Sequence, residues 1–345
     1  METEKMTKAT VTRVSSAVAI EEDHTTETAA PKLRPSLFED YPGQDRVKEN
    51  LKIYVTAAKK RHRPLDHVIL HGAPGLGKTT LAHIIANELG VPFQATSGPA
   101  IDKPGDLAGI LAGLEPNSLL FIDEIHRLGI KVEEVLYSAM EDFCIDIVIG
   151  QGASARSVRM DVAPFTLVGA TTRLSLLSRP MLSRFGIQEH LDFYTSEALC
   201  EILTRSAKIL EIAIEENAVY EIASRSRGTP RLANRLLKRV WDFTDVQNLA
   251  SVTKESADVA LRRQDMDHSG LDQLDRSILR VIEQQYDGGP VGVETIAVTL
   301  NEDRFTIEDV YEPFLVYKGF LARTPRGRSI TQRGREHLKS VADFI

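Results

Sequence analysis

The spacing of apolar positions changes several times along the chain, and each change predicts an element. "DRVKENLKIYVTAAKKR", residues 45–61, repeats apolar side chains at three- and four-residue intervals and predicts an amphipathic helix. "HVIL" at 67–70 is too short and too apolar for that period and predicts a buried strand. "TTLAHIIANELG" returns to helical spacing and ends at Gly90, a residue type suited to the end of a helix. Further short apolar strands are predicted at 93–95, 118–122, 144–149, 157–161 and 166–170, with helices between several of them. Strands alternating with helices argue an open, mostly parallel sheet. From about 196 to 263 the pattern is almost wholly helical. "DHSG" at 267–270 marks another boundary, and 271–345 carries three short helical patterns followed by strand-like and turn residues.

One segment departs from this alternation. In "FCIDIVIGQGASARSVRMD", Ile145, Ile147 and Ile149 fall on every second position, as in a β-strand. "GQGASA" suits a turn, and Ser157 to Asp161 can return as the second strand, so a hairpin is expected. It either packs on its own domain or offers the isoleucines as an apolar contact patch.

Composition narrows the classes. At 345 residues the chain has room for two or three domains, and 42% hydrophobic content allows substantial cores. A net charge of −7 excludes an overall basic field, so any nucleic-acid contact must be local. Cys144 and Cys200 are the only cysteines, and both lie among apolar residues, which argues against a disulfide scaffold or thiolate metal site. No run approaches the roughly 18 apolar residues of a membrane span. The N-terminus has mixed charges and no apolar signal core, so a cytoplasmic protein is expected. Residues 1–30, rich in Thr, Glu and Ala, are expected to form a flexible tail.

The chemistry concentrates in "HGAPGLGKTT". Gly72, Gly77, Lys78 and Thr79 satisfy the spacing of a phosphate-binding loop, set between a predicted strand and a predicted helix. Glycines let successive backbone N–H groups curve around a phosphate, and the helix start adds its own donors. Lys78 can reach the β- and γ-phosphates of a nucleotide, and Thr79 offers a hydroxyl to Mg²⁺. "SLLFIDEIHRL" places Asp123 and Glu124 at the end of an apolar strand, where parallel sheets gather ligands. Asp123 suits a Mg²⁺ ligand and Glu124 a group that activates water. "FTLVGATTR" ends in Thr171, Thr172 and Arg173, whose polar groups could meet the γ-phosphate or simply cap a turn. Arg179 and Arg184 in "LLSRPMLSRFG" can pair locally or reach a neighbouring subunit's phosphate. Arg231 stands in the first turn of a predicted helix, where its charge opposes the helix dipole; a facing phosphate would resolve that conflict. Between 318 and 339 there are seven Lys or Arg against a single acid, Glu336. "ARTPRGRSIT" suits a wing of two short strands joined by a basic turn, either a solvated face or a grip on duplex phosphates without reading bases.

In order, "LRPSLFEDYPGQ", "HGAPGLGKTTLA", "TSGPAIDKPGDLA", "FIDEIHRL", "DIVIGQGASARSVRMD", "FTLVGATTR", "GTPRLANRLLKRV", "GGPVG" and "TPRGR" resemble the RuvB family of AAA+ ATPases, the motors of bacterial Holliday junction branch migration. The resemblance spans roughly 32–340. It implies an α/β AAA+ P-loop core over 31–195, a helical lid over 196–268 and a C-terminal winged-helix domain over 269–345. Lys78 and Thr79 then match Walker A, Asp123 and Glu124 Walker B, and Thr171 sensor 1. Arg184 matches the arginine finger acting in trans, and Arg231 sensor 2. The nucleotide, ATP or ADP with Mg²⁺, would contact Gly75, Gly77 and Thr80, with Leu33, Arg34, Tyr41, Tyr194 and Pro230 on the base side. Thr79 and Asp123 would hold the metal. Arg323, Arg326, Arg328 and Arg333 would grip DNA, and Ile145, Ile147 and Ile149 would dock a RuvA-like junction-binding protein. A homohexameric ring on duplex DNA and a RuvC-like resolvase partner are also implied. Ala73 and Leu182 depart from common family residues, the latter where many members carry an additional Arg. A clamp loader or initiator built on the same core is the enzyme alternative, and a nucleotide-switched DNA-binding scaffold the non-enzyme one.

Overall fold

A computed structural model describes residues 33–149 and 156–341, with backbone alone at 147–149 and 156–157. The predicted tail at 1–30 and the predicted turn at 150–155 lie outside the described residues. Backbone contacts divide the chain into two compact units, one covering 31–257 and the other beginning at Asp258.

The first unit starts with helix α1 (Asp45–Arg61), which buries Val47, Leu51, Val55 and Ala58 at three- and four-residue intervals. Strand β1 (Val68–His71) then feeds helix α2 (Lys78–Leu89), capped by Gly90 in the left-handed region. Strand β2 (Phe93–Ser97), helix α3 (Pro104–Ala112), strand β3 (Leu119–Asp123) and helix α4 (Ile130–Asp142) follow. Strands β4 (Cys144–Ile149) and β5 (Arg156–Asp161) pair antiparallel as the predicted hairpin. Strand β6 (Thr166–Thr171), the short helix α5 (Arg179–Arg184) and strand β7 (Ile187–His190) complete the α/β part.

Five strands form one parallel sheet in the order β2-β3-β6-β1-β7. Successive strand residues face opposite sides, and the core follows from that. Leu120 and Ile122 of β3, Leu167 of β6 and Ile69 of β1 join one cluster with α3 and α4 residues, including Leu107, Leu111, Val132 and Leu136. The alternate residues Val68, Leu70, Leu119 and Phe121 are equally buried, and α2 packs against β3 and β6. Both faces are covered, as an all-parallel sheet requires. Full burial of each such aliphatic side chain contributes about 1.5–3 kcal/mol.

Strand β7 is absent from the sequence-based expectations. Its buried positions are Ile187 and Glu189, so only one of the two inward residues is apolar. Glu189 is tolerated because Asn50 donates to it at 2.9 Å and Arg46 lies at 3.3 Å, tying α1 to the sheet. The hairpin also differs in part. Ile145 is fully buried in the α/β core and is not available as an outward contact. The cause is its place at the root of β4, which packs on α4. Farther out, Val158, the register partner of Ile147, is 46% exposed. The side chains of Ile147 and Ile149 lie outside the described residues.

Helices α6 (Ser196–Ile209), α7 (Glu216–Ser224) and α8 (Pro230–Val246) form the helical part of the first unit. Thr195 caps α6 by accepting from the Ala198 N–H, and α8 begins with proline, whose missing N–H costs nothing there. Helix α9 (Lys254–Arg262) follows.

The second unit contains α10 (Gln273–Gln285) and α11 (Val293–Leu300). A helical stretch follows: α12 (Arg304–Thr306), a π turn over Ile307–Tyr311, and α13 (Glu312–Tyr317). Strands β8 (Leu321–Thr324) and β9 (Gly327–Ile330) pair antiparallel, and α14 (Gln332–Ser340) closes the unit. These helices followed by a two-stranded wing are a winged-helix arrangement. Its α14 is anchored by His337, buried and 2.9 Å from Asp267. Burial alone would raise the Asp267 carboxyl, but hydrogen bonds from His337, Leu271 and Ser269 hold it below its usual range.

Gly98 marks a place where main chains meet. A Cβ there would lie 2.4 Å from the Glu124 carbonyl oxygen, a backbone atom that cannot swing aside. Gly98→Ala should therefore destabilise the first unit by about 1–3 kcal/mol, the usual range for overpacking. Urea unfolding followed by far-UV circular dichroism measures this, and an unshifted midpoint would show that the loop yields freely.

Candidate functional site

Because β1, β6 and β3 are neighbours, their C-terminal ends stand in line. The phosphate loop leaves β1, Asp123 and Glu124 leave β3, and Thr171 and Thr172 leave β6 between them. The Gly72 N–H donates to the Thr171 carbonyl at 3.3 Å, which stitches the loop to the middle strand.

The loop itself has the predicted curvature. Gly75 and Gly77 take φ of 81° and 96°, a region that favours glycine, and Gly77 opens α2. Lys78 is buried and donates to the carbonyls of Gly72 and Ala73 at 2.9 and 3.0 Å. Burial pushes its pKa down, Glu124 and Asp123 oppose that, and Arg231 reinforces it. These four charges thus share one electrostatic site. A polyanion placed there would relieve the desolvated ammonium. Thr79 and Thr80 follow in the first turn of α2, half-buried.

Tyr41 and Tyr194, predicted on the base side, are both buried and brought together behind the loop. The Tyr194 hydroxyl donates to the Tyr41 oxygen at 2.8 Å and lies 3.3 Å from the Leu76 carbonyl. A Cβ on Gly77 would reach the Tyr41 oxygen at 2.9 Å, so the phenols pack directly on the loop backbone. Burial pushes the Tyr41 hydroxyl up to about 12, and burial with the neighbouring phenol pushes Tyr194 higher still. The Leu33 carbonyl accepts from Arg205 of α6 at 2.6 Å, while Arg34 is exposed. From the other side, the Arg231 N–H meets the Gly75 carbonyl at 3.4 Å, next to Pro230 at the start of α8. The helical part therefore touches the phosphate loop.

At the strand ends, the Glu124 N–H donates to its neighbour Asp123 Oδ1 at 2.9 Å. Thr171 differs from its predicted place against a phosphate. It is fully buried, its hydroxyl lies 2.8 Å from His126 Nδ1, and it also accepts from the Arg173 N–H. Alternation along the strand explains this, because Thr172 projects the opposite way. The Thr172 hydroxyl donates to Glu124 Oε2 at 3.4 Å and is the better placed of the two. His126 went unnoticed in the sequence: it carries no spacing signal and meets Glu124 and Thr171 only through the fold.

Arg184 is not among the loop's partners. It donates to Glu141 at 3.0 Å and to the Pro180 carbonyl at 2.7 Å, and its guanidinium lies 4.6 Å from the Tyr137 ring centroid. Tyr137 is fixed by hydrogen bonds with Glu133 and Ser178, the cap of α5. Leu182 packs against the core.

Three family models match consecutive stretches: the Holliday junction DNA helicase RuvB P-loop domain over 33–191, the RuvB AAA lid domain over 194–267 and the RuvB C-terminal winged helix domain over 268–339. The chain belongs to the RuvB family. The Holliday junction branch migration complex subunit RuvB of Lactococcus lactis subsp. cremoris is 57% identical over 93% of this chain and 96% of its own length. That of Staphylococcus haemolyticus is 55% identical over 92% and 96%. A solved structure described as the Thermotoga maritima RuvB Holliday junction branch migration motor superposes with a TM-score of 0.82 at 50% identity, covering 89% of this chain and 98% of that one. Its P-loop domain makes this chain a nucleotide-binding protein of the AAA+ class. No helix among the described residues is long and apolar enough to cross a membrane.

In the wing of this family member, the four predicted arginines behave differently. Arg326 sits exposed in the β8–β9 turn, and its side chain has no partner among the described residues. Arg333 is exposed, its guanidinium 5.5 Å from the Phe320 ring centroid. Arg323 and Arg328 face each other across the strands. Like charges in that register repel, and Glu312 of α13 neutralises both, at 2.8 Å from Arg323 and 2.9 Å from Arg328. Arg328 also reaches Glu308 at 3.0 Å and is largely buried, so it braces the wing instead of projecting beside Arg326 as expected. The reason is position: Arg326 stands in the turn beyond both strands, whereas Arg328 lies within β9, where Glu308 and Glu312 meet it.

His71, at the end of β1, lies 4.7 Å from His190 between ring centroids. Burial pushes its imidazole down to about 4; His190 and Lys78 act the same way, and Asp192 opposes them. Its ordinary value is 6.5, so as pH falls from about 6.5 to 4 the unfolded chain takes up a proton that the folded chain refuses. Stability contributed above that window is lost through it. His71→Gln should flatten this part of the acid-side fall in urea midpoints, and parallel pH profiles for parent and variant would clear His71 of the effect.

Proposed function

We propose that the chain is an ATP-driven motor that translocates duplex DNA and branch-migrates Holliday junctions during recombination and repair in the cytoplasm. The observation that carries the reading is the convergence of the phosphate loop, Asp123, Glu124, Thr172 and Arg231 at adjacent parallel strand ends. Relatives named as branch migration complex subunits at 55–57% identity over nearly the whole chain support the substrate.

In the proposed reaction water attacks the γ-phosphorus of ATP. Lys78 and the loop amides stabilise the charge that spreads over the phosphate oxygens. Thr79 and Asp123 would hold a Mg²⁺, which when bound would supply positive charge against the phosphate oxygens. Glu124 orients the water and accepts its proton. Arg231 on α8 senses the phosphate charge and links nucleotide state to the helical part. Arg184 acts on the nucleotide of the next subunit in a homohexameric ring; its held position beside Glu141 and Tyr137, away from its own loop's partners, suits that role. The exposed part of the hairpin, at Val158, serves a RuvA-like junction-binding partner, and a RuvC-like resolvase follows on the same junction. Arg326, Arg323 and Arg333 on the wing bind duplex phosphates, with Arg328 supporting them.

Purified protein with a RuvA-like partner should move a synthetic four-way junction only when ATP is hydrolysed. Glu124→Gln should keep nucleotide binding while turnover and junction movement fall by about two orders of magnitude or more. Full turnover in that variant would remove Glu124 from its role, and motion on primer–template but not on junctions would favour a clamp loader.

For the wing, Arg326→Ala should weaken duplex binding equally for all sequences and lower the log–log salt slope by about 0.9, one phosphate's worth. Nucleotide affinity should stay near the parent's. Titrating a labelled duplex at several salt concentrations measures both, and an unchanged slope would take Arg326 out of the DNA grip.

A further inference from the structure

We infer that His126 is a positioning residue for ATP hydrolysis, holding the Glu124 carboxylate in its working orientation and coupling it to the end of β6. The inference rests on the reading of Glu124 as the group that activates water.

The geometry begins with an unusual backbone. Glu124 has φ 48° and ψ 44°, the left-handed region that a side-chain-bearing residue seldom occupies. Such a conformation is strained and persists where its surroundings over-determine it. Here they do so from several directions. The Glu124 N–H is held by Asp123, its carbonyl packs where a Gly98 side chain would stand, and that carbonyl accepts from the Arg127 N–H at 2.9 Å. This turn lifts the carboxylate out of the strand end, where it remains one-third exposed.

His126 lies two residues on, its side chain only 9% exposed. Its Nδ1 is 3.2 Å from Glu124 Oε2 and 2.8 Å from the Thr171 hydroxyl. With a proton on Nδ1 the ring attracts that carboxylate oxygen, which a bare ring lone pair would repel. In that tautomer one N–H serves two acceptors, one on the Glu124 turn and one on β6. Thr171 is fully buried and also accepts from the Arg173 N–H, so it is a fixed point. Thr172, next to it, reaches the same Glu124 oxygen at 3.4 Å. Any shift of the β6 end is therefore transmitted to Glu124 by two routes, through the imidazole and through the Thr172 hydroxyl. A long carboxylate side chain has several rotamers of similar energy, and the largely buried imidazole removes most of that freedom where the water must be aligned.

The choice of substitution tests which ring atom matters. Asn carries an amide donor close to the place of Nδ1, whereas Gln carries it nearer the place of Nε2. His126→Leu and His126→Gln should lower kcat about tenfold to hundredfold, a fraction of what a general base itself contributes. The affinity for ADP and for a slowly hydrolysed ATP analogue, and the thermal midpoint with nucleotide bound, should stay near the parent's. His126→Asn should recover kcat to within about threefold of the parent. A merely structural role predicts parallel losses of affinity, midpoint and turnover in all three variants. That result, or full turnover in His126→Leu or His126→Gln, overturns the inference. Glu124→Gln run alongside separates the two readings: if it too retains turnover, the water-activating role itself has failed, and if it alone is inactive, only the role of His126 has.

Discussion

The parallel ladder joining β3, β6 and β1 is the constraint on which the nucleotide site depends. Its hydrogen bonds set the register in which Ile122 meets Gly169 and His71 meets Thr171. The strand ends consequently emerge side by side. A one-residue slip would turn every side chain of a strand to the opposite face. Asp123 would then enter the α3–α4 core, and Thr172 would lose Glu124. The buried apolar residues on both sides of the sheet make that slip costly. The packing of Leu120, Ile122 and Leu167 thus holds the carboxylates of Asp123 and Glu124 in place as surely as their own hydrogen bonds do.

Charges are handled in two ways in this chain. Some are withdrawn from solvent and paired: Glu189 with Asn50 and Arg46, Asp267 with His337 and backbone N–H groups, Arg328 with Glu308 and Glu312. Removing one partner from such a group leaves a desolvated charge, which costs far more than the pair contributes. Others are held where a further anion can join. Among the described residues Lys78 donates to loop carbonyls, Arg326 projects from a turn, and Arg323 pairs through Nε with Glu312 while most of its side chain stays exposed. The same residue type is thus a brace where the fold brings carboxylates to it and stays open to solvent where it does not.

The loop–helix contact adds the third element. Gly75 is approached by Thr229 and Arg231, so the phosphate loop is shared between the α/β part and α8. Nucleotide occupancy and the placing of α8 are consequently not independent. The two phenols of Tyr41 and Tyr194 stiffen the loop from behind, and their shared hydrogen bond stays neutral until strongly alkaline pH because burial disfavours phenolate.

Much of this architecture was legible in the sequence by itself. The apolar runs at 67–70, 118–122 and 166–170, the helical spacing of 45–61 and the Gly-rich loop each carry a local signal, because a buried strand and a glycine turn leave their marks on consecutive residues. The phosphate loop, the acid pair and the wing followed from such marks, while the family came from the resemblance of the motifs in their order. What the sequence could not decide is everything that depends on which distant residue arrives opposite. Strand β7 was hidden because its inward Glu189 is made tolerable only by α1. Ile145 carries the same alternation as its neighbours, and only the packing of α4 separates a buried root from an exposed tip. Thr171 and Thr172 are chemically alike; the pleat gives one to His126 and the other to Glu124. Arg326 and Arg328 stand two residues apart with equal charge, and only the carboxylates of Glu308 and Glu312, brought in by the fold, make one a brace and leave the other open to solvent.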